Sequence, residues 1–156
     1  MSSLLHSPAR RPEEHPLLQA LLVRHGYPSL TPESLPDFLA LPGESALFFV
    51  EDPQRFGETL DLAVILPELV AASPRPLRAG VLMPAAARAL APRYGIQRWP
   101  ALVFVRGNDY LGALEGTHDW SEYLRLMPQL LAAAGTPAPV VGVPLTRLTS
   151  AAGAAS

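Results

Sequence analysis

The run Arg98-Trp99-Pro100-Ala101-Leu102-Val103-Phe104-Val105, followed by Gly107-Asn108-Asp109 and Tyr110-Leu111-Gly112-Ala113-Leu114, decides how this chain is read. Ala101 to Val105 reads as a strand. Gly107-Asn108-Asp109 is a three-residue turn signal, and Tyr110 to Leu114 reads as the returning strand of a hairpin. Gly116 closes the hairpin. Asp119 with Glu122 then gives a capping-box-like start to a last helix. Trp120, Tyr123, Leu124, Met127 and Leu131 fall along one face of that helix, so Trp120 is expected in the core, and Pro128 sits inside it.

Working upstream, Ala46 to Val50 is a continuous apolar run, Ala-Leu-Phe-Phe-Val, the signature of a strand buried on both faces in the centre of a sheet, and Leu77 to Leu82 reads as a further strand. Between these two lies the strongest helical pattern. Thr59 is its expected N-cap and Asp61 falls in the favourable first turn. Leu62, Ile65, Leu66 and Leu69 keep the i, i+3, i+4, i+7 spacing, and Pro67 inside predicts a kink. Ser73 to Arg75 is a turn. Pro84 opens an alanine-rich helix that Pro92 ends. Nearer the N-terminus, Pro16 to Arg24 reads as a short helix with Leu17, Leu18, Leu21 and Leu22 on one face. Another short helix is expected after a Thr31 cap, distorted by Pro36. One parallel crossover joined to an antiparallel pair gives an α/β fold: a mixed central sheet with helices on both faces. Residues 1–14 read as a flexible N-terminal arm, 15–135 as the domain and 136–156 as a flexible C-terminal tail.

Composition removes whole classes of chemistry. The chain has 156 residues, enough for one well-buried core, and no cysteine. Disulfide exchange, thiolate catalysis, iron–sulfur clusters and cysteine zinc sites are therefore excluded. All twelve basic residues are Arg, which rules out Schiff-base and P-loop lysines. A net charge of -2 gives no global pull toward nucleic acid or an acidic membrane surface. No run approaches a membrane span, so no membrane insertion is expected. Arg10-Arg11 resembles a twin-arginine export signal, but Pro12-Glu13-Glu14-His15-Pro16 breaks up the apolar region such a signal needs. The expected location is the cytoplasm. No cofactor or metal is expected: His6, His15, His25 and His118 lack metal-site spacing, and there is no G-x-S-x-G or glycine-rich phosphate loop.

The element order, together with Ala91-Pro92-Arg93-Tyr94-Gly95-Ile96-Gln97-Arg98-Trp99-Pro100-Ala101-Leu102, resembles thioredoxin, with Pro100 at the position of its cis-proline and Pro67 at its helix-kink proline. The departure is at the thiol site. Where thioredoxins carry Cys-x-x-Cys, this chain reads Glu51-Asp52-Pro53-Gln54-Arg55-Phe56-Gly57-Glu58-Thr59. Arg98 to Val105 and Gly107 to Trp120, with His118 and Trp120 ahead of the last helix, are similar to the cysteine-free HyaE/HupG/HoxO group of hydrogenase expression/formation proteins. That resemblance runs from about His15 to Ala134. It implies a thioredoxin-like chaperone without redox activity for an uptake nickel–iron hydrogenase. The implied partner is the small-subunit precursor and its twin-arginine signal peptide, with other hydrogenase accessory proteins as further candidates.

Two features suit that role. From Glu51 to Glu68 there are five acids (Glu51, Asp52, Glu58, Asp61 and Glu68) against Arg55 alone. An acidic strip beside an apolar floor complements a basic, apolar peptide, chiefly in encounter and register. An ordinary solvated helix face has the same composition. Trp99 and Pro100 lie where thioredoxin-fold proteins contact extended peptides, and Trp is a frequent binding anchor; a packing Trp fits equally. Pro67, Pro100, Asp119 and Trp120 read as structural. The alternatives are a general peptide-binding or structural thioredoxin-like module, and an enzyme of the same fold. The missing Cys excludes a thiol peroxidase, and a glutathione transferase would need a larger helical second domain.

Overall fold

The structure, a computed structural model, describes residues 11–138. Four strands form one sheet in the order β2-β1-β3-β4. They are β1 (Glu44–Phe49), β2 (Leu77–Leu82), β3 (Ala101–Arg106) and β4 (Asp109–Glu115). The β1/β2 pair is parallel; β1/β3 and β3/β4 are antiparallel. β1, β2 and β3 are nearly all buried; β1 and β3 are the central pair, and β2 is an edge strand in which Arg78 is partly exposed.

Helices cover both faces. On one side α1 (Pro16–Val23), α3 (Glu58–Ala72) and α5 (Trp120–Ala132) pack with Phe48, Val81 and Phe104. On the other, α2 (Leu35–Leu39), α4 (Pro84–Leu90) and a 3-10 turn at Ala91–Tyr94 pack with Leu47, Phe49 and Val103. Pro67 and Pro128 both lie inside continuous helices.

Several local expectations are corrected. The β3–β4 turn has two residues, because Arg106 pairs with Asp109. Gly107 takes φ +60 at its first central position, and no described non-glycine residue has positive φ, the pattern of a type II′ turn. A register shift at Phe104/Val105 leaves Leu111 as an extra residue in β4; beside it Gly112 has φ +153, and a Cβ there would collide with Leu130. Thr59 is not a cap. Gly57 is the N-cap of α3, and Thr59 is fully buried with no partner for its hydroxyl among the described residues. α2 starts later than expected, because Thr31 and Ser34 exchange backbone-to-hydroxyl bonds (2.9 and 3.1 Å) and close a turn first. Pro36 therefore falls in the first helical turn, where its missing N–H costs nothing. Leu17 is exposed, leaving Leu18 and Leu21 to anchor α1.

At the ends, Pro12–Glu14 forms a 3-10 turn. Thr136 pairs with Tyr110 through two backbone bonds (2.7 and 3.0 Å), so the start of the expected tail lies along β4. The rest of the expected arm and tail, 1–10 and 139–156, lies outside the described residues. Among the described residues, no helix is long and apolar enough to cross a membrane.

Candidate functional site

β1 delivers the chain to the junction that carries the thiols in thioredoxins. The Val50 amide still bonds to the Leu82 carbonyl (2.9 Å), so Glu51 enters the junction from a fixed position. Glu51 is 5% exposed. Its carboxylate accepts from the Asp52 amide (2.9 Å), from Arg88 Nε (2.9 Å) and from a second Arg88 nitrogen. These bonds hold the Arg88 guanidinium above its ordinary pKa. The Asp52 carboxylate accepts from the Gln54 amide (3.0 Å), and its carbonyl receives the Arg55 and Phe56 amides (3.0 and 2.8 Å). The junction is thus a hydrogen-bonded turn ending at Gly57.

Past that turn a cleft of about 520 Å³ opens. Phe56 and Glu58 form one wall; Trp99 and the Gln97–Arg98 loop form another; Glu115, Thr117 and His118 complete it. The loop is pinned by Glu115, whose Oε1 accepts the consecutive Gln97 and Arg98 amides at 2.7 and 2.8 Å. The Trp99–Pro100 peptide is cis, Pro100 is buried, and its carbonyl accepts from Gly116 (2.6 Å). Trp99 is half-buried with its ring 6.4 Å from Phe49. Among the described residues, neither its amide nor its carbonyl has a hydrogen-bond partner.

The far wall is braced by side chains. Thr117 donates to Glu58 Oε2 at 2.6 Å, tying the lead-in of α5 to the start of α3. His118 Nε2 lies 3.1 Å from the Glu115 carbonyl, and its amide donates to the Tyr123 hydroxyl at 3.2 Å. Burial pushes the Tyr123 hydroxyl pKa up; Glu122 and Glu58 push it further, and the His118 amide opposes them.

The acidic residues singled out in the sequence separate. Glu58 and Trp99 line the same cleft; Pro100, next in the chain, is buried and not part of its lining. Glu51 does not belong to an exposed acidic strip, because it is buried and neutralised by Arg88. Asp52 faces a different hollow of about 300 Å³, shared with Arg11, Pro84 and Arg88. Asp61 is exposed on α3 outside the cleft. Asp119 is the N-cap residue of α5, but its side chain makes no capping bond, and Glu122 approaches His118 instead (3.7 Å). Trp120 is 41% exposed, not a core residue: it stands at the first position of α5, and the buried stripe is supplied further along by Tyr123, Met127 and Leu131. Sequence reasoning gave no role to Glu115, Thr117 or Phe56. Only the β3–β4 register and the α3–α5 packing bring them together. Among the described residues, no three His, Asp or Glu side chains converge as a metal site.

A four-stranded mixed sheet flanked in this way, with a cis-proline leading into β3, defines a protein of the thioredoxin fold. A mutant thioredoxin from Halobacterium salinarum NRC-1 superposes with a TM-score of 0.55 at 18% identity, covering 69% of this chain and 91% of that one. The chain belongs to the family described as Hydrogenase-1 expression protein HyaE, whose profile matches residues 17–123. It is 48% identical over 118 residues to the hydrogenase expression/formation protein HoxO of Azotobacter vinelandii, covering 76% of this chain and 79% of that one. It is 36% identical over 140 residues to HoxO of Cupriavidus necator, covering 88% and 86%.

Proposed function

We propose that this protein is a redox-inactive, non-enzymatic chaperone that acts in the cytoplasm during hydrogenase assembly. It holds the small-subunit precursor by its twin-arginine signal peptide until maturation is complete. The family supports a role in hydrogenase expression and formation. The observation that carries the finer reading is the cleft itself. In place of a thiol it offers the Glu58 carboxylate, the Trp99 ring, and a Trp99 amide and carbonyl free to pair with an extended backbone. Glu58 gives a basic peptide charge-dependent encounter and register, while Trp99 supplies a rigid anchor at low entropic cost.

Glu115 acts in this reading as a positioning residue. By holding two consecutive amides it fixes the loop that presents Trp99. The direct test is co-purification of the full chain with the small-subunit precursor, with and without its signal peptide. The expected result is capture of the complete precursor and loss of capture without the peptide. Equal recovery of both forms would overturn the signal-peptide reading.

A further inference from the structure

We infer that Arg98 sets the specificity of the cleft: with Glu58 on the other wall, it selects an extended segment that carries a cationic side chain and, two residues away, an anionic one. The inference rests on the cleft being a peptide site and names the kind of peptide it takes. No acid lies between Glu68 and Asp109, so the arginines of that stretch find their partners elsewhere in the fold. Arg75 and Arg106 reach Glu44, Arg78 donates to the Pro42 carbonyl, and Arg88 holds Glu51. The Arg93 guanidinium lies 5.4 Å over the Tyr94 ring. Arg98 differs. It is exposed and lines the cleft, and among the described residues its side chain has no hydrogen bond, ion pair or aromatic partner. Glu115 accepts its backbone amide (2.8 Å), which fixes the base of the side chain in the cleft wall and leaves the guanidinium free.

Arg98 therefore brings a free positive charge to a cleft whose other wall carries a negative one. Glu58 uses Oε2 to accept the Thr117 hydroxyl, and its Oε1 has no partner among the described residues. Trp99 follows Arg98 directly, and its unpaired amide and carbonyl are the backbone groups open to an extended chain. In such a chain successive side chains point to opposite sides, so the two residues flanking the one paired with Trp99 share a side. One of these meets Glu58 and the other meets Arg98. A guanidinium takes a carboxylate through two parallel hydrogen bonds, a charge-assisted and directional match. A second cation in that place meets like charge, and such juxtapositions are how charged interfaces reject wrong partners. Of two adjacent arginines only one enters the cleft, and the other turns to solvent. A segment with cations on both cleft-facing positions is disfavoured, even though the net charge of -2 attracts it from a distance.

The probes are short synthetic peptides with blocked ends, titrated into the full-length protein by calorimetry: Arg-Leu-Asp and Asp-Leu-Arg cores, which cover both chain directions, against an Arg-Leu-Arg core. The better of the two mixed-charge peptides is expected to bind the wild type about tenfold tighter than Arg-Leu-Arg, the scale of one charge-assisted pair replaced by a like-charge contact. Arg98→Ala is expected to bring the two within about twofold, and Arg98→Glu to reverse their order. Circular dichroism should be unchanged, since the Arg98 side chain holds nothing in place and its amide survives in both variants. Arg93→Ala removes the same charge outside the cleft lining and is expected to keep the discrimination, which separates a local effect from net charge. Equal wild-type affinities for mixed-charge and Arg-Leu-Arg peptides, or a preference that persists in Arg98→Ala, would overturn the role of Arg98. Binding that is still weakened by Glu58→Lys would in that case leave the cleft reading standing. No wild-type binding to any of the three peptides overturns the inference as well, and if the small-subunit precursor is not captured either, the cleft reading goes with it.

Discussion

The two ends of β1 each carry a glutamate held by arginine, and they use charge in opposite ways. At the first end, Glu44 accepts from Arg106 Nε (2.9 Å) and lies 3.7 Å from Arg75. Arg106 also donates to the Leu131 and Ala133 carbonyls at the end of α5 (2.7 and 3.2 Å). Arg78 donates to the Pro42 carbonyl and the Ser45 hydroxyl (2.7 and 3.3 Å). Every one of these charges closes the fold. At the other end a single pair, Glu51 with Arg88, closes the junction, and Glu58 and Asp61 beyond it have no ion pair among the described residues. Buried charges must be paired, whereas exposed ones contribute little to stability. Asp61 at the second end is thus free to serve a partner at almost no structural cost, while Glu58, which faces the cleft, also accepts the Thr117 hydroxyl.

The largest effect is expected at the Glu44 end. Arg106→Ala strips a half-buried carboxylate of its main partner and uncovers two helix-end carbonyls. The expected loss is about 3 kcal/mol, the upper range for leaving buried polar groups unsatisfied. Urea denaturation measures it, and precursor binding should be unchanged. Arg88→Ala comes next, at about 2 kcal/mol, because Glu51 keeps the Asp52 amide as a remaining partner. Here binding should weaken as well, since the junction beside the cleft loosens. A stability loss below about 0.5 kcal/mol for Arg88→Ala would make Glu51 as free as Asp61 and erase the contrast between the two ends.

The sheet was legible from sequence because apolar stretches report burial directly: those at Ala46 to Val50 and Ala101 to Val105 became β1 and β3, and Leu77 to Leu82, interrupted by Arg78, became the edge strand β2. Helix starts were less legible. A cap depends on backbone geometry, so Thr59 looked like a cap and proved to be buried, while Gly57 took the position. Trp120 fitted the helical stripe, yet at the first position of α5 it is 41% exposed, and the buried stripe begins at Tyr123. At the candidate site, Trp99, Pro100 and Glu58 were visible from the thioredoxin pattern. Glu51 was misread because its partner, Arg88, lies 37 residues away on another helix. Glu115 was invisible because its acceptor role is set by the hairpin register, not by its neighbours in sequence.

Raising the pH probes the same contrast more gently. All four tyrosines, Tyr27, Tyr94, Tyr110 and Tyr123, hold their protons above the ordinary 10.0, burial being the first cause in each. The folded state therefore binds more protons than the unfolded state once the pH passes that value. This contribution to stability is fully present below about pH 10 and is lost as pH rises through the folded values. Stability measured by urea at stepped pH should be level in mildly alkaline buffer and then fall. Glu58→Gln should bring the Tyr123 titration, followed by tyrosinate absorbance, part of the way back toward 10.0 without affecting the other three.

Asp119→Ala is expected to have the smallest effect. It sits where an N-cap carboxylate normally accepts an amide, and losing a working cap costs about 1 kcal/mol. Here the Asp119 side chain makes no such bond, and α5 is held by Tyr123, Met127 and Leu131 in the core and by the His118–Tyr123 contact. The residual attraction between a carboxylate and a helix N-terminus is about 0.3 kcal/mol when exposed to solvent. Thermal and urea unfolding of Asp119→Ala should therefore lie within about 0.5 kcal/mol of wild type, a neutral surface change. A loss of 1 kcal/mol or more would show that Asp119 caps α5 in solution. It would then belong with the charges at the Glu44 end, which close the fold, and the acids free to meet a partner would narrow to those of α3.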